Sequence, residues 1–114
     1  MERKNEILEV SFEFALMVIE FSELLELKGK YVIARQVLKS GTSIGANIRE
    51  SQSAEGKADF IHKLKIAHKE AEETQYWPLL CEKAPSYASP PDQMMAALLS
   101  IQKLLSKIIS SSKK

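Results

Sequence analysis

The chain has one cysteine, Cys81, in 114 residues. An intramolecular disulfide and a cysteine-built zinc cluster within one chain are thereby excluded, and a reducing cytoplasm is the simplest compartment. Glycine and proline number four each, and aromatic residues make up 7%. Such scarcity does not suit a turn-rich sheet protein, whereas the many Leu, Ile, Ala, Glu and Lys suit an all-α one. Long apolar runs are missing as well: residues 14–19 are bracketed by Glu13 and Glu20, too short for a membrane span or a signal peptide. A soluble protein without a membrane partner is expected. At this length, with 45% of residues hydrophobic, residues 1–114 are expected to form a single domain with a real core.

Neither sign of charge dominates, since 16 Lys and Arg face 15 Asp and Glu. The distribution is uneven, however. Up to Gly29 the chain is acidic, through residues such as Glu6, Glu9, Glu13, Glu20 and Glu23; Lys30, Arg35, Lys39 and Arg49 make the next stretch basic. Helical periodicity marks four segments. The first runs from Asn5, as N-cap, to Gly29, and its apolar residues cover roughly two-thirds of the circumference at 100° per residue. One core face does not use that much, so the surplus, with Phe12 and Ile19, is expected to meet another subunit. The alternative is a central helix covered by its own chain.

The second segment, Tyr31 to Ser53, carries Ile33, Val37, Gly41, Ile44 and Ile48 on its inner face. Gly41 and Gly45 are poor helix formers one turn apart, which implies close approach of a neighbouring helix at both. A polar stripe (Gln36, Ser40, Ser43, Asn47, Glu50) and a basic one (Arg35, Lys39, Arg49) complete it. The third, to about Ala84, has a core stripe of Phe60, Leu64, Ala67, Ala71 and Thr74. Its second stripe, Asp59, Ile66, Glu70, Glu73 and Trp77, mixes an anchor-type aromatic with carboxylates and reads as a contact face. Pro78 is expected to kink this helix or to end it near Trp77. Ser89-Pro90-Pro91-Asp92 reads as the N-cap and first turn of the fourth helix, where Met94, Leu98, Ile101, Leu105 and Ile108 form the apolar face; the end from Ser110 to Lys114 is expected to fray.

Chemistry-bearing constellations are weak. Asp59-Phe60-Ile61-His62 is the lone near match to the Glu-x-x-His pairs of di-metal bundles, and His62 and His68 lie about 120° apart on a helix, so they do not converge on one ion. Cys81 has no neighbouring His in sequence to activate it. Glu70 and Glu73 are explained without a substrate by pairing with Lys63, Lys69, Arg35 or Arg49. No enzyme, metal, cofactor or small-molecule substrate is therefore expected.

The run Ser40-Gly41-Thr42-Ser43-Ile44-Gly45-Ala46-Asn47-Ile48, then Asp59-Phe60, Lys63-Leu64, Ile66-Ala67, Glu70-Ala71, Thr74 and Tyr76-Trp77, resembles in order and spacing the signature of the four-helix-bundle proteins encoded in intervening sequences of bacterial 23S rRNA genes. The resemblance implies an antiparallel up-and-down four-helix bundle and a ring-like homopentamer, similar to the accessory variability proteins of retroelements. Those proteins are markedly basic and bind nucleic acid and a reverse transcriptase, whereas this chain is nearly neutral; Pro78 and the proline-rich connection also depart from the family pattern. Two functions follow as expectations. The first is a non-catalytic oligomeric scaffold whose candidate subunit interface is Phe12, Ile19, Ile66, Glu70, Glu73 and Trp77. The second is an RNA- or DNA-binding accessory factor that uses Arg35, Lys39 and Arg49, unless these merely pair with Glu70, Glu73 or the acidic first helix.

Overall fold

Four amphipathic segments become four helices: α1 (Glu6–Leu27), α2 (Tyr31–Ser51), α3 (Lys57–Lys83) and α4 (Asp92–Ser112). The structure is a computed structural model that describes residues 5–113. Gly29 ends α1 in the left-handed region at φ 77°. Its own N–H donates to the Glu26 carbonyl and that of Lys30 to the Leu25 carbonyl, the paired bonds that satisfy the last orphan carbonyls of a helix. Asn5 is the N-cap as expected, but its side chain makes no capping bond and donates instead to Gln52 Oε1 at 3.0 Å.

The cross-helix contacts fix the topology. Asn5 meets Gln52, and Cβ positions built at Gly45 and Gly41 face Ser11 and Val18, so α1 and α2 run antiparallel. Glu50–Lys63 and Ser43–Glu70 set α3 antiparallel to α2, and Gln75–Gln102 with His68–Ser106 set α4 antiparallel to α3. Each helix packs on its two chain neighbours and α4 closes on α1, while the diagonal pairs stay apart. The section is a four-sided bundle with an up-and-down path.

Its core holds Phe14, Val18, Phe21 and Leu25 from α1, Val37, Ile44 and Ile48 from α2, Leu64, Ala67 and Ala71 from α3, and Met94, Leu98, Ile101 and Leu105 from α4. Ile33 and Phe60, expected on inner faces, are only half-buried at the rim. Gly41 is the more crowded of the two: a Cβ there would lie 2.8 Å from both methyls of Val18, which is fully buried. Gly45 is looser than expected, since its nearest contact would be the Ser11 carbonyl at 3.6 Å.

α3 ends close to Ala84 as expected, whereas α2 stops at Ser51, short of Ser53, and both ends of α4 differ. α3 does not end at Trp77 but continues to Lys83 through a buried Pro78; burial of Thr74, Pro78 and Cys81 along one stripe holds the helix past the residue that lacks a donor. α4 takes Pro91 as N-cap in place of Ser89, the Pro91 carbonyl accepting from Met94 and Met95. Its C-terminus extends to Ser112, whose hydroxyl bonds back to the Ile108 carbonyl; Lys114 lies outside the described residues. By length and composition α4 is also apolar enough to cross a membrane. Met94, Leu98, Ile101 and Leu105 nonetheless form one stripe turned onto the bundle core, with Leu99 left exposed.

Candidate interaction surfaces

The side of the bundle formed by α1 and α2 carries an unsatisfied apolar row. Phe12, Leu16 and Ile19 are 56%, 48% and 40% exposed, although the facing stripe of the same helix is almost wholly buried. Sequence reasoning singled out Phe12 and Ile19 but missed Leu16; its spacing of four from Phe12 and three to Ile19 was the available signal. Beside the row runs a shallow groove of about 150 Å³, lined by Leu8, Phe12 and Ala15 from α1 and by Thr42, Gly45, Ala46 and Arg49 from α2. Leu38 is an exposed apolar side chain of α2 as well.

Arg35, Lys39 and Arg49 are all exposed on α2. None makes an ion pair among the described residues; the Arg35 guanidinium donates through Nε to the Tyr31 carbonyl at 3.4 Å. The expected pairing with Glu70 and Glu73 is therefore absent within the chain. Glu70 instead accepts a 2.9 Å bond from the Ser43 hydroxyl, and the Lys63 ammonium bridges to Glu50 at 3.1 Å. Both bonds cross from α2 to α3, so the polar stripe of α2 serves as the seam with α3. Gln36, Ser43 and Asn47 are half-buried there, and Ser40 is buried with its hydroxyl bonded to the Gln36 carbonyl.

The outer edge of that seam is the second candidate face. Ile66, Glu70 and Trp77 are half-buried and Glu73 is exposed with no cation beside it among the described residues. Trp77 packs against the core, stacks edge-on with Tyr76 at 5.1 Å, and leaves its indole N–H buried without an acceptor. Below it, Ile33, Leu80, Cys81, Ala84 and Tyr87 line an apolar hollow of about 250 Å³, with the Lys30 ammonium 4.8 Å from the Tyr87 ring centre.

Among the described residues no three of His, Cys, Asp and Glu gather as a metal site. His62 is exposed on α3, and His68 approaches Glu72 and the Ser106 hydroxyl instead. Burial pushes the Cys81 thiol above its ordinary value of 9.0, which disfavours the thiolate a nucleophile needs.

The family of 23S rRNA-intervening sequence proteins matches residues 3–110. The chain belongs to that family. A crystal structure of a protein of unknown function from the S23 ribosomal protein family of Bacteroides thetaiotaomicron is similar over 90% of this chain and 97% of its own, with 40% identity and a TM-score of 0.85. None of the curated proteins matches the chain at a significant level. Family membership thus agrees with the all-α four-helix fold, and the relative's stated function is unknown.

Proposed function

We propose that this member of the 23S rRNA-intervening sequence protein family is a non-catalytic, cytoplasmic, homo-oligomeric scaffold, a pentamer by family resemblance. The observation that carries the reading is the row Phe12, Leu16 and Ile19: three large apolar side chains on one helix face that their own chain leaves uncovered. Removing such a row from water is worth roughly 25 cal/mol per Å² of apolar surface, a sizeable drive for self-association. A scaffold without chemistry is supported by a buried thiol whose thiolate is disfavoured and by histidines that do not converge, His62 being exposed while His68 approaches Glu72 and Ser106. Light scattering across a dilution series tests it: the expected result is a mass that is a multiple of the chain's 12.8 kDa. A monomer at every concentration overturns it.

One observation favours a second reading, in which the assembly binds RNA or DNA weakly and without sequence preference. Arg35, Lys39 and Arg49 have no carboxylate partner among the described residues, and repetition around an oligomer would multiply a contact that is feeble in one copy. Replacing all three with Gln should abolish retention of RNA at low salt. Unchanged retention, or none by the parent protein, overturns this reading and leaves the scaffold.

A further inference from the structure

We propose that the apolar hollow at the start of α2 binds a small amphipathic anion, an aromatic or branched monocarboxylate, with its apolar body against Ile33, Leu80, Cys81 and Ala84 and its carboxylate at Lys30. The proposal stands apart from the oligomeric reading and does not rest on it.

The lining sets the body of the ligand. Ile33 comes from the first turn of α2, Leu80 and Cys81 from the last turns of α3, Ala84 from the C-cap of α3 and Tyr87 from the connection to α4. Leu80 and Ala84 are one turn apart with Cys81 beside them, so α3 offers all three on one side. Cys81 is 1% exposed and Leu80 39%, which gives the space a closed floor and an open lip. None of the five lining side chains carries a charge. Water finds few partners in such a place, whereas an apolar group is favoured there. An apolar cavity of about 150 Å³ holds benzene, and this hollow measures about 250 Å³. It therefore suits a ring or a branched chain with a short polar extension.

The lip sets the charge. The Lys30 ammonium stands 4.8 Å from the Tyr87 ring centre and has no carboxylate partner among the described residues. Lys30 is also the N-cap of α2, a helix start without a side-chain cap and without an acidic residue in its first turn. An ammonium beside the amide end of a helix favours an anion over a neutral or cationic head. The surrounding carboxylates do not cancel this preference. Glu26, the nearest to Lys30 along the chain, makes no ion pair with it. At 100° per residue Glu82 falls on the side of α3 turned away from Leu80 and Ala84. Glu73 shares the Leu80 side but two turns off, roughly 10 Å along the axis and about one Debye length away.

The chain carries its own reporters for a test: Trp77, its one tryptophan, is a turn from Leu80 and Cys81, and Cys81, its one cysteine, lines the hollow. Phenylacetate, phenethyl alcohol and phenethylamine share a ring and differ in the charge of the head. Each is titrated into the intact protein and followed by Trp77 emission and by the rate at which methyl methanethiosulfonate reacts with Cys81. Phenylacetate should bind saturably and protect Cys81, with a dissociation constant on the order of 1 mM for a ligand of about ten non-hydrogen atoms. The alcohol should bind about fivefold more weakly and the amine more weakly again. Lys30→Gln should remove the preference for phenylacetate and keep binding of the alcohol. Ala84→Leu, which fills the hollow, should abolish binding of all three with the helical circular dichroism and the mass unchanged; if that variant does not fold, Lys30→Gln decides alone. No saturable binding of phenylacetate, an affinity that ignores the head charge, or full affinity in a folded Ala84→Leu overturns the proposal. Each of these results leaves the oligomeric reading to be judged by light scattering.

Discussion

Helices α1 and α4 lie side by side and use their apolar residues differently. α4 turns Met94, Leu98, Ile101 and Leu105 into the core and leaves Leu99 as its exposed large apolar side chain. α1 buries an equivalent stripe from Ile7 to Leu25 and still exposes Phe12, Leu16, Ile19, Leu24 and Leu27. One bundle core takes one stripe from each helix, so the second stripe of α1 is surplus to the core and is what the proposed oligomer would cover. An isolated exposed leucine such as Leu99 is ordinary on a protein surface and needs no partner.

The sharpest way to break this contrast is to charge each surface in turn. Phe12→Glu with Ile19→Glu should dissociate the assembly while the helical circular dichroism is kept, because neither residue belongs to the core. Leu99→Glu should leave the mass unchanged. Light scattering reads both, and dissociation by the α4 variant would erase the distinction.

A smaller effect separates the two glycines that α1 faces. Gly41→Ala drives a Cβ to 2.8 Å from the methyls of Val18, a stiff β-branched side chain with nowhere to move. Overpacking of about 1–3 kcal/mol exceeds the helix propensity gained, so denaturant unfolding should show a net loss. Gly45→Ala meets ordinary contacts and should raise stability of the isolated fold by up to about 1 kcal/mol. Equal shifts at the two positions would show that α1 is not pinned to α2 at Val18.

Much of this architecture is legible in the sequence. Spacings of three and four mark the core stripes of α3 and α4, and the Gly29 stop is plain, because these depend on each helix alone. The excess of α1 is legible too, as apolar residues on too many sides of one helix. What depends on a neighbour is not: that Glu70 takes Ser43 instead of an arginine, that Gly41 is tight and Gly45 loose, that a buried Pro78 stays helical, that Pro91 supplants Ser89 as the cap. Each is settled by packing across helices, to which a period along one helix is blind.

The most direct test asks whether the α1 row is covered in the assembled protein. With Cys81 replaced by Ala, a cysteine placed at Phe12 and one placed at Leu99 are labelled by a maleimide at native concentration and under dilution. The account predicts slow labelling at Phe12 that speeds up on dissociation, beside fast labelling at Leu99 throughout. Equal, fast rates at both positions would contradict it.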